Sequence, residues 1–310
     1  MNVQILMSTY NGARYLRAQL DSIVQQSVIP GSLIIRDDGS TDDTVKIIKE
    51  YQRNYPWISY YQGANVGVQR SFFDLIENYD RTADYIAFAD QDDHWLPEKL
   101  ERAVTCLNKT CPRNNVPLLY CSSQKMVGEN LEPLEIVVSR IVRKATFGNA
   151  LVQNICTGCT AVMNRELIEL IRTHKPANVG AIVMHDWWFY LTASCFGKVY
   201  YDEESYIYYR QHQNNVHGAI LSKRALLKYR VSQLMKPRGE IYRQAKEFEA
   251  CFGVMMNTSK MTSERFLITK LLQAEKKIGK RIRVILDPRY FRQKRVDDIV
   301  FRGIVLIGKL

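Results

Sequence analysis

The chain has 310 residues, 46% apolar and 24% charged, which excludes a disordered polymer and allows one large α/β domain with an appendage. No apolar run approaches the roughly 18 residues of a spanning helix. The opening run Val3–Met7 passes at once into polar residues, unlike a secretory signal, so a cytoplasmic protein is expected. The net charge of +11 is uneven: residues 1–218 hold 21 Lys+Arg against 24 Asp+Glu, and residues 219–310 hold 22 against 8. A basic tail on a near-neutral body points to an anionic surface, phospholipid or nucleic acid.

In chain order, Val3–Ser8 reads as a strand and Ala13–Gln26 as a helix with Leu16, Leu20 and Ile23 on one face. Leu33–Arg36 is the next strand. Thr44–Tyr55 is the next helix, with Val45, Ile48 and Tyr51 inward and Ile47 as a further candidate. Ile58–Tyr61 is a short strand, Val68–Tyr79 a helix, and Tyr85–Ala89 an apolar strand. This β-α-β-α order predicts an α/β fold with a Rossmann-like, mostly parallel sheet and helices on both faces. From Leu118 to Tyr209 the pattern loosens into mixed strands, loops and short helices, where substrate-specific parts usually sit. There His185–Phe196 reads as a helix, and Lys198–Tyr201 with Ser205–Tyr209 as a two-strand return. After Gly218 the chain turns helical and basic.

Each early strand ends in a polar cluster, and strand ends in open α/β sheets are where ligands bind. Ser8-Thr9-Tyr10-Asn11 follows the first strand and Asp37-Asp38-Gly39-Ser40 the second. Asn65-Val-Gly67 and Arg70 open the third helix, and Asp90-Gln91-Asp92-Asp93 follows the fourth strand. Three crowded carboxylates repel one another unless a cation compensates. Oxygen ligands at a strand end suit Mg²⁺ or Mn²⁺ bridging to a phosphate. The plainer alternative is an acidic loop in which Asp93 caps the helix after Pro97.

By residue type, Asp38 can accept from a base N–H or from ribose hydroxyls, and Tyr10 can stack on the base. Arg70 can meet a diphosphate, and Asp92 can hold the metal. Helix capping accounts for Asp42 or Asp43 but not for Asp37 and Asp38 before a glycine. No GxGxxG follows the first strand and no GxxxxGK(S/T) occurs, which argues against a nicotinamide domain and a P-loop ATPase. The seven cysteines are odd in number and scattered, as in a reducing compartment. Cys156-Thr-Gly-Cys159 lacks the second ligand pair of a zinc site and reads as small residues in a packed loop.

Four segments together resemble the family 2 glycosyltransferases of the GT-A fold: Ile5-Leu-Met-Ser-Thr-Tyr-Asn11, Ile35-Arg-Asp-Asp-Gly-Ser-Thr-Asp-Asp-Thr44, Asn65-Val-Gly67 and Phe88-Ala-Asp-Gln-Asp-Asp-His-Trp95. The likeness is strong over residues 1–110 and looser to 215. With Met184-His-Asp-Trp-Trp188 and Tyr209-Arg-Gln-His212, the chain is most similar to bacterial rhamnosyltransferases of cell-wall and O-antigen polysaccharide assembly. The resemblance implies a catalytic domain over residues 1–218, its nucleotide-binding half 1–110 and its acceptor-binding half 111–218, with 219–310 as a basic helical region.

It further implies a nucleotide-sugar donor held by Thr9, Tyr10 and Asp38, with Ser8, Asp37 and Arg70 alongside. Asp90 then touches ribose or sugar, and Asp92 binds the metal. The specific donor expected is dTDP-L-rhamnose, with a UDP-hexose as the alternative. The acceptor expected is a saccharide linked to a polyprenyl diphosphate. An inverting reaction needs a carboxylate to deprotonate the acceptor hydroxyl. The family's Glu-Asp base motif stands here as His185-Asp186, so Asp186 is the expected general base and the part of His185 is open. A carboxylate of ordinary pKa, about 4, is a weak base for a sugar hydroxyl, so positioning has to supply much of the effect. The alternative for Asp186 is an N-cap on a helix beginning at Trp187.

By the same pattern Arg210 and His212 lie beside the diphosphate or metal, the alternative being a structural histidine. Thr157, Gly158, Cys159 and Trp187 border the acceptor. The QxxRW of processive members is absent, which implies single or limited addition. A catalytically inactive nucleotide-binding or membrane-scaffold protein is a further alternative, and the presence of Asp92 and Asp186 speaks against it.

In the tail, Arg289–Leu310 places Val296, Ile299, Val300, Gly303 and Ile307 at helical spacing, accompanied by Arg292, Lys294, Arg295 and Arg302. Such a segment can lie in a membrane interface, where each nearby Lys or Arg adds about 1 kcal/mol. That predicts a peripheral position on the inner face of the plasma membrane. The alternative is an appendage packed on the catalytic domain with its charges solvated. No recognised nucleic-acid module accompanies the charge, so nucleic acid is not an expected partner.

Overall fold

A computed structural model describes residues 2–113, 115–135, 141–212, 239–258 and 261–310. The helical reading of residues 222–238 lies outside them. The chain forms two compact units. The first comprises Met1–Val138, Cys156–Thr173 and Phe196–Gly218, and the second Ser139–Ile155, His174–Cys195 and Ala219–Leu310. A linear division at residue 218 therefore differs from the grouping in space. The stretch carrying Asp186 belongs with the C-terminal helices.

The strands are β1 (Val3–Thr9), β2 (Ser32–Asp37), β3 (Ile58–Gln62), β4 (Tyr85–Ala89), β5 (His94–Trp95), β6 (Leu118–Val127), β7 (Val162–Asn164) and β8 (Lys198–Arg210). They make one eight-stranded sheet in the first unit, in the order β3-β2-β1-β4-β7-β6-β8-β5. The four early strands are parallel, as their connecting helices require. β7 runs antiparallel to β4 and β6, β8 parallel to β6, and β5 antiparallel to β8. The expected two-strand return is instead one strand of 13 residues, β8. Its pairing with β6 shifts register near Ser122 and Ser123, and this irregularity coincides with the polar run Asp202-Glu203-Glu204 that reads as a break in the sequence.

The helices are α1 (Ala13–Val24), α2 (Thr44–Asn54), α3 (Val68–Glu77), α4 (Lys99–Thr110), the single turn α5 (Phe147–Ala150), α6 (Arg165–Thr173), α7 (His185–Phe196), α8 (Glu240–Phe252), α9 (Thr262–Lys276), α10 (Ile278–Ile285) and α11 (Arg295–Leu306). Strand alternation divides the core between the sheet's faces. Val3, Ile5 and Met7 of β1 join Leu16 and Leu20 of α1, Ile48 of α2 and Leu100 of α4 in one cluster. On the other side Phe72 of α3 meets Phe88 of β4 edge-on, with ring centroids 5.8 Å apart. In α2 it is Ile47 that is buried with Ile48 and Tyr51, whereas Val45 is half-exposed. α4 begins at Lys99 behind Glu98, so Asp93 caps no helix.

In the second unit Trp188 of α7 packs against Phe248 and Phe252 of α8, at centroid distances of 5.4 and 6.1 Å. Gly148 of α5 lets the backbone of Arg289 approach, since a Cβ there would stand 2.3 Å from the Arg289 carbonyl oxygen. Among the described residues no helix is long and apolar enough to cross a membrane.

Candidate active site

Parallel register brings the ends of β1, β2 and β4 to one edge of the first unit: Thr9 lies beside Asp37, and Met7 beside Ala89. The turns behind them are bonded to each other. The Tyr10 N–H donates to Gln91 Oε1 at 2.8 Å, and Gln91 Nε2 donates to the Tyr10 carbonyl at 3.1 Å. Asn11 adopts φ 47°, a region that Asn tolerates. Its Oδ1 takes the Thr41 N–H, and its own N–H donates to Ser40 Oγ. Asp42 accepts from Ala13 and Thr44, which makes it a loop tie. Tyr10 is left 46% exposed on this pinned backbone, a surface on which a planar base can stack. Sequence reasoning missed Gln91 and Asn11 as tethers; their only signal was membership of the polar runs.

Asp37 and Asp38, expected beside the nucleotide, are engaged by donors of the protein itself. Asp37 is fully buried and accepts from Thr9 Oγ1 (3.1 Å), Ser40 Oγ (2.5 Å), the Ser40 N–H (2.9 Å) and Gln62 Nε2 (3.3 Å). Asp38, also buried, pairs with the Arg36 guanidinium and accepts from the N–H groups of Val66 (3.0 Å) and Gly67 (2.9 Å). Protein donors thus hold both carboxylates. Asp38 compensates buried Arg36, and Asp37 ties the turn at Gly39, whose φ of +83° favours glycine. Thr9 is likewise buried, and Ser8 Oγ lies 2.6 Å from Ser71 Oγ. Arg70 stands exposed in the first turn of α3.

Asp90, Asp92 and Asp93 follow β4. Asp93 is fully buried; its Oδ1 accepts the Arg210 N–H at 3.2 Å, and the Cys159 thiol bonds to the same carboxyl. Its Oδ2 has no hydrogen-bond partner among the described residues. Burial, then the charges of Asp92 and Asp90, hold this carboxyl well above the usual range. The buried ammonium of Lys99 interacts with Asp93 and Cys159 from within the core, and a further cation would relieve the remaining crowding of carboxylates. Asp90, Asp93 and Cys159 bring ligand atoms within 4.8 Å of one another. Asp92 turns Oδ2 to His212 Nε2 at 2.9 Å, and the His212 ring stacks on Tyr15 with centroids 4.9 Å apart. The carboxylate oxygens of Asp90 and Asp93 suit a hard divalent ion, whereas Asp92, the expected metal ligand, lies outside this group of atoms and is bonded to His212. A thiol is a poor ligand for Mg²⁺ or Mn²⁺, so Cys159 is set apart.

Arg210, expected beside the diphosphate or metal, is turned onto the aspartate loop. Its guanidinium donates to the carbonyls of Asp92 (Nε, 2.7 Å) and Glu129, and it lies 4.7 Å from the Tyr15 ring centroid. Buried in this way it supports the aspartate loop, and His212 bonds the Asp92 side chain. Gly158 and Cys159 are also buried, in the short turn Gly158–Thr160, with the thiol on Asp93. Only Thr157 of that loop is partly exposed, so Cys159 offers no surface to an acceptor.

In the second unit Asp186 sits inside the first turn of α7, not at its N-cap. Asn154 Nδ2 donates to its Oδ1 at 3.0 Å and so sets the direction of the carboxylate. His185 is buried edge-on against Phe189 at 5.5 Å. Burial lowers its pKa to about 3, which leaves the ring neutral at pH 7. The Trp187 indole N–H donates to the Ala150 carbonyl at 2.6 Å.

The family model Glycosyl transferase family 2 matches residues 4–172. The chain is 33% identical over 233 residues to dTDP-rhamnosyl transferase RfbG of Shigella flexneri, covering 72% of this chain and 77% of that protein. It is 27% identical over 175 residues to UDP-Glc:alpha-D-GlcNAc-diphosphoundecaprenol beta-1,3-glucosyltransferase WfgD of Escherichia coli, covering 54% of this chain and 61% of that protein. Among solved structures it is similar to S. aureus TarS 1-349 in complex with UDP-GlcNAc, with TM-score 0.55 and 16% identity over 99% of this chain and 91% of that one. It is also similar to the mannosyltransferase PcManGT of Pyrobaculum calidifontis in complex with GDP-Man and Mn²⁺, with TM-score 0.52 and 13% identity over 99% and 85%.

Proposed function

The chain belongs to glycosyl transferase family 2, and we propose that it transfers L-rhamnose from dTDP-L-rhamnose, with inversion, to a lipid-linked saccharide in bacterial surface-polysaccharide synthesis. The observation that carries this reading is the carboxylate cluster Asp90, Asp92 and Asp93 behind β4, in a chain 33% identical to a protein named as a dTDP-rhamnosyl transferase. Tyr10 stacks on the thymine, and exposed Arg70 meets the diphosphate. Asp90 and Asp92 would hold Mg²⁺ or Mn²⁺, with His212 fixing the orientation of Asp92. When bound, the ion neutralises charge that develops on the leaving diphosphate.

Asp186, oriented by Asn154, takes the proton from the acceptor hydroxyl. The acceptor oxygen bonds to the anomeric carbon as the bond from that carbon to the diphosphate oxygen breaks. This single displacement inverts the centre and releases the nucleoside diphosphate. Gln91 and Asn11 keep the nucleotide-facing turns in place without touching the reacting atoms. The likeness to WfgD favours a second reading, a UDP-hexose donor with the same base and metal residues. That relative's name also specifies a diphosphoundecaprenol-linked acceptor, which supports an acceptor at the inner membrane surface.

Calorimetric titration with dTDP, UDP, GDP and NAD, with and without Mn²⁺, tests the donor. The expected result is metal-dependent binding of dTDP in preference to UDP. A preference for UDP moves the assignment to a hexose donor, and binding of none of them refutes the active-enzyme reading.

A further inference from the structure

We propose that α10 and α11 of the second unit form a surface that seats on an anionic lipid bilayer. With 3.6 residues per turn, Phe301, Ile304 and Val305 share one side of α11 and are buried. Val296, Ile299, Leu306 and Ile307 share the opposite side and are 51, 69, 47 and 49% exposed. Val300 and Gly303 complete that outer side, and no charged residue interrupts it. α10 repeats the arrangement: Val284 is buried, while Ile278, Ile282 and, one residue beyond the helix, Leu286 recur every four residues and are 65, 46 and 75% exposed.

Single exposed aliphatic side chains are normal on a protein surface. Seven on two adjoining helices are not required by the fold, because α11 already gives Phe301, Ile304 and Val305 to the core and α10 gives Val284. The helices adjoin through Arg302, which donates to the carbonyls of Ile285 and Tyr290, and through Arg281, which donates to that of Leu306.

Charge selects the occupant. Residues 277–310 carry ten Lys+Arg against three Asp. Of the three, Asp287 is paired with Lys270 and Arg289, and Asp298 with Arg302. Lys277, Arg283 and Arg295 stand exposed beside the aliphatic stripes. Aliphatic side chains bordered by cations match the acyl boundary and phosphate layer of a bilayer. A second copy would bring the same positive charge to the contact and be repelled. The surface deepens the membrane-side acceptor proposed above but does not depend on the donor, because vesicle binding requires no turnover.

The test is co-sedimentation of the full chain with vesicles of phosphatidylcholine alone and of phosphatidylcholine with phosphatidylglycerol. Binding is expected to the anionic vesicles only and to weaken with added salt. Leu286→Glu combined with Ile299→Glu should lower that affinity by about tenfold or more. Ile29→Glu, at a 77% exposed position in the first unit, should leave it unchanged. A circular-dichroism melt and dTDP titration of the double variant separate loss of the surface from loss of fold or donor site. Equal binding to neutral vesicles, or an unchanged affinity of the double variant, overturns the proposal. So does a dimer in light scattering that this variant abolishes while vesicles go unbound.

Discussion

Asp186 and His185 are chain neighbours in opposite situations. Asp186 has its carboxylate aimed by Asn154, and His185 is enclosed and neutral. Asp186→Asn keeps the size of the side chain and removes its basicity. Turnover should fall by about 10²–10⁴ while calorimetric dTDP affinity stays; unchanged turnover removes Asp186 from the base role. For His185, a folded pKa of about 3 lies below the unfolded value of about 6.5. On acidification the unfolded chain takes the proton first. Stability present above pH 6.5 is therefore lost progressively toward pH 3, by about 4–5 kcal/mol in full. In His185→Leu the difference in denaturant stability between pH 7 and pH 4 should shrink by about 3 kcal/mol. An identical pH slope in both proteins would show that the ring is not the titrating group. Asp92→Asn removes a negative charge from the carboxylate cluster, so Mn²⁺-dependent dTDP binding should weaken. If that binding persists at full strength and without metal, the ion is held elsewhere.

At the scale of elements, the joined turns give the nucleotide edge its shape. An alanine Cβ at Gly12 would stand 2.2 Å from Gln91 Oε1, so Gly12→Ala must displace Gln91 and break both of its bonds to Tyr10. Gln91→Ala should cost about 1–2 kcal/mol. Adding Gly12→Ala to it should then cost less than Gly12→Ala alone, as a double-mutant cycle of unfolding energies will show. Additive costs would mean that the clasp does not hold the turn. The parallel half of the sheet was legible in the sequence because strand and helix periods alternate there and each strand stops at a polar turn, as Ser8–Asn11 and Asp90–Asp93 do. The partners of those turns were hidden. Asp38 is filled by peptide N–H groups 28 and 29 residues away, and Asn154 lies 32 residues from the Asp186 it orients. Periodicity reports which face a residue takes, not which distant donor meets it. β8 was misread for a related reason: Asp202-Glu203-Glu204 interrupts its apolar pattern while the backbone continues through it.

At the scale of the molecule, the residues proposed for the nucleotide and those proposed for the base fall in different compact units. Tyr10, Arg70, Asp90 and Asp92 belong to the first, whereas Asp186 belongs to the second with the C-terminal helices. Three separate stretches of chain build the second unit, so its core has to be assembled from residues distant in sequence. Phe248 is fully buried there between Trp188 and Phe252, with centroid distances of 5.4 and 4.7 Å. Truncating such a side chain costs about 3–5 kcal/mol, through lost burial and the cavity left behind. Phe248→Ala should therefore loosen the setting of α7, and of Asp186 with it, while leaving the first unit's sheet and strand-end turns intact. The expected signature is a denaturation profile split in two, with transfer lost and Mn²⁺-dependent dTDP binding retained to the second transition. A single transition in which binding and transfer disappear together would show that the two units fold as one cooperative body. The nucleotide edge would then owe its stability to the helical part as much as to its own sheet.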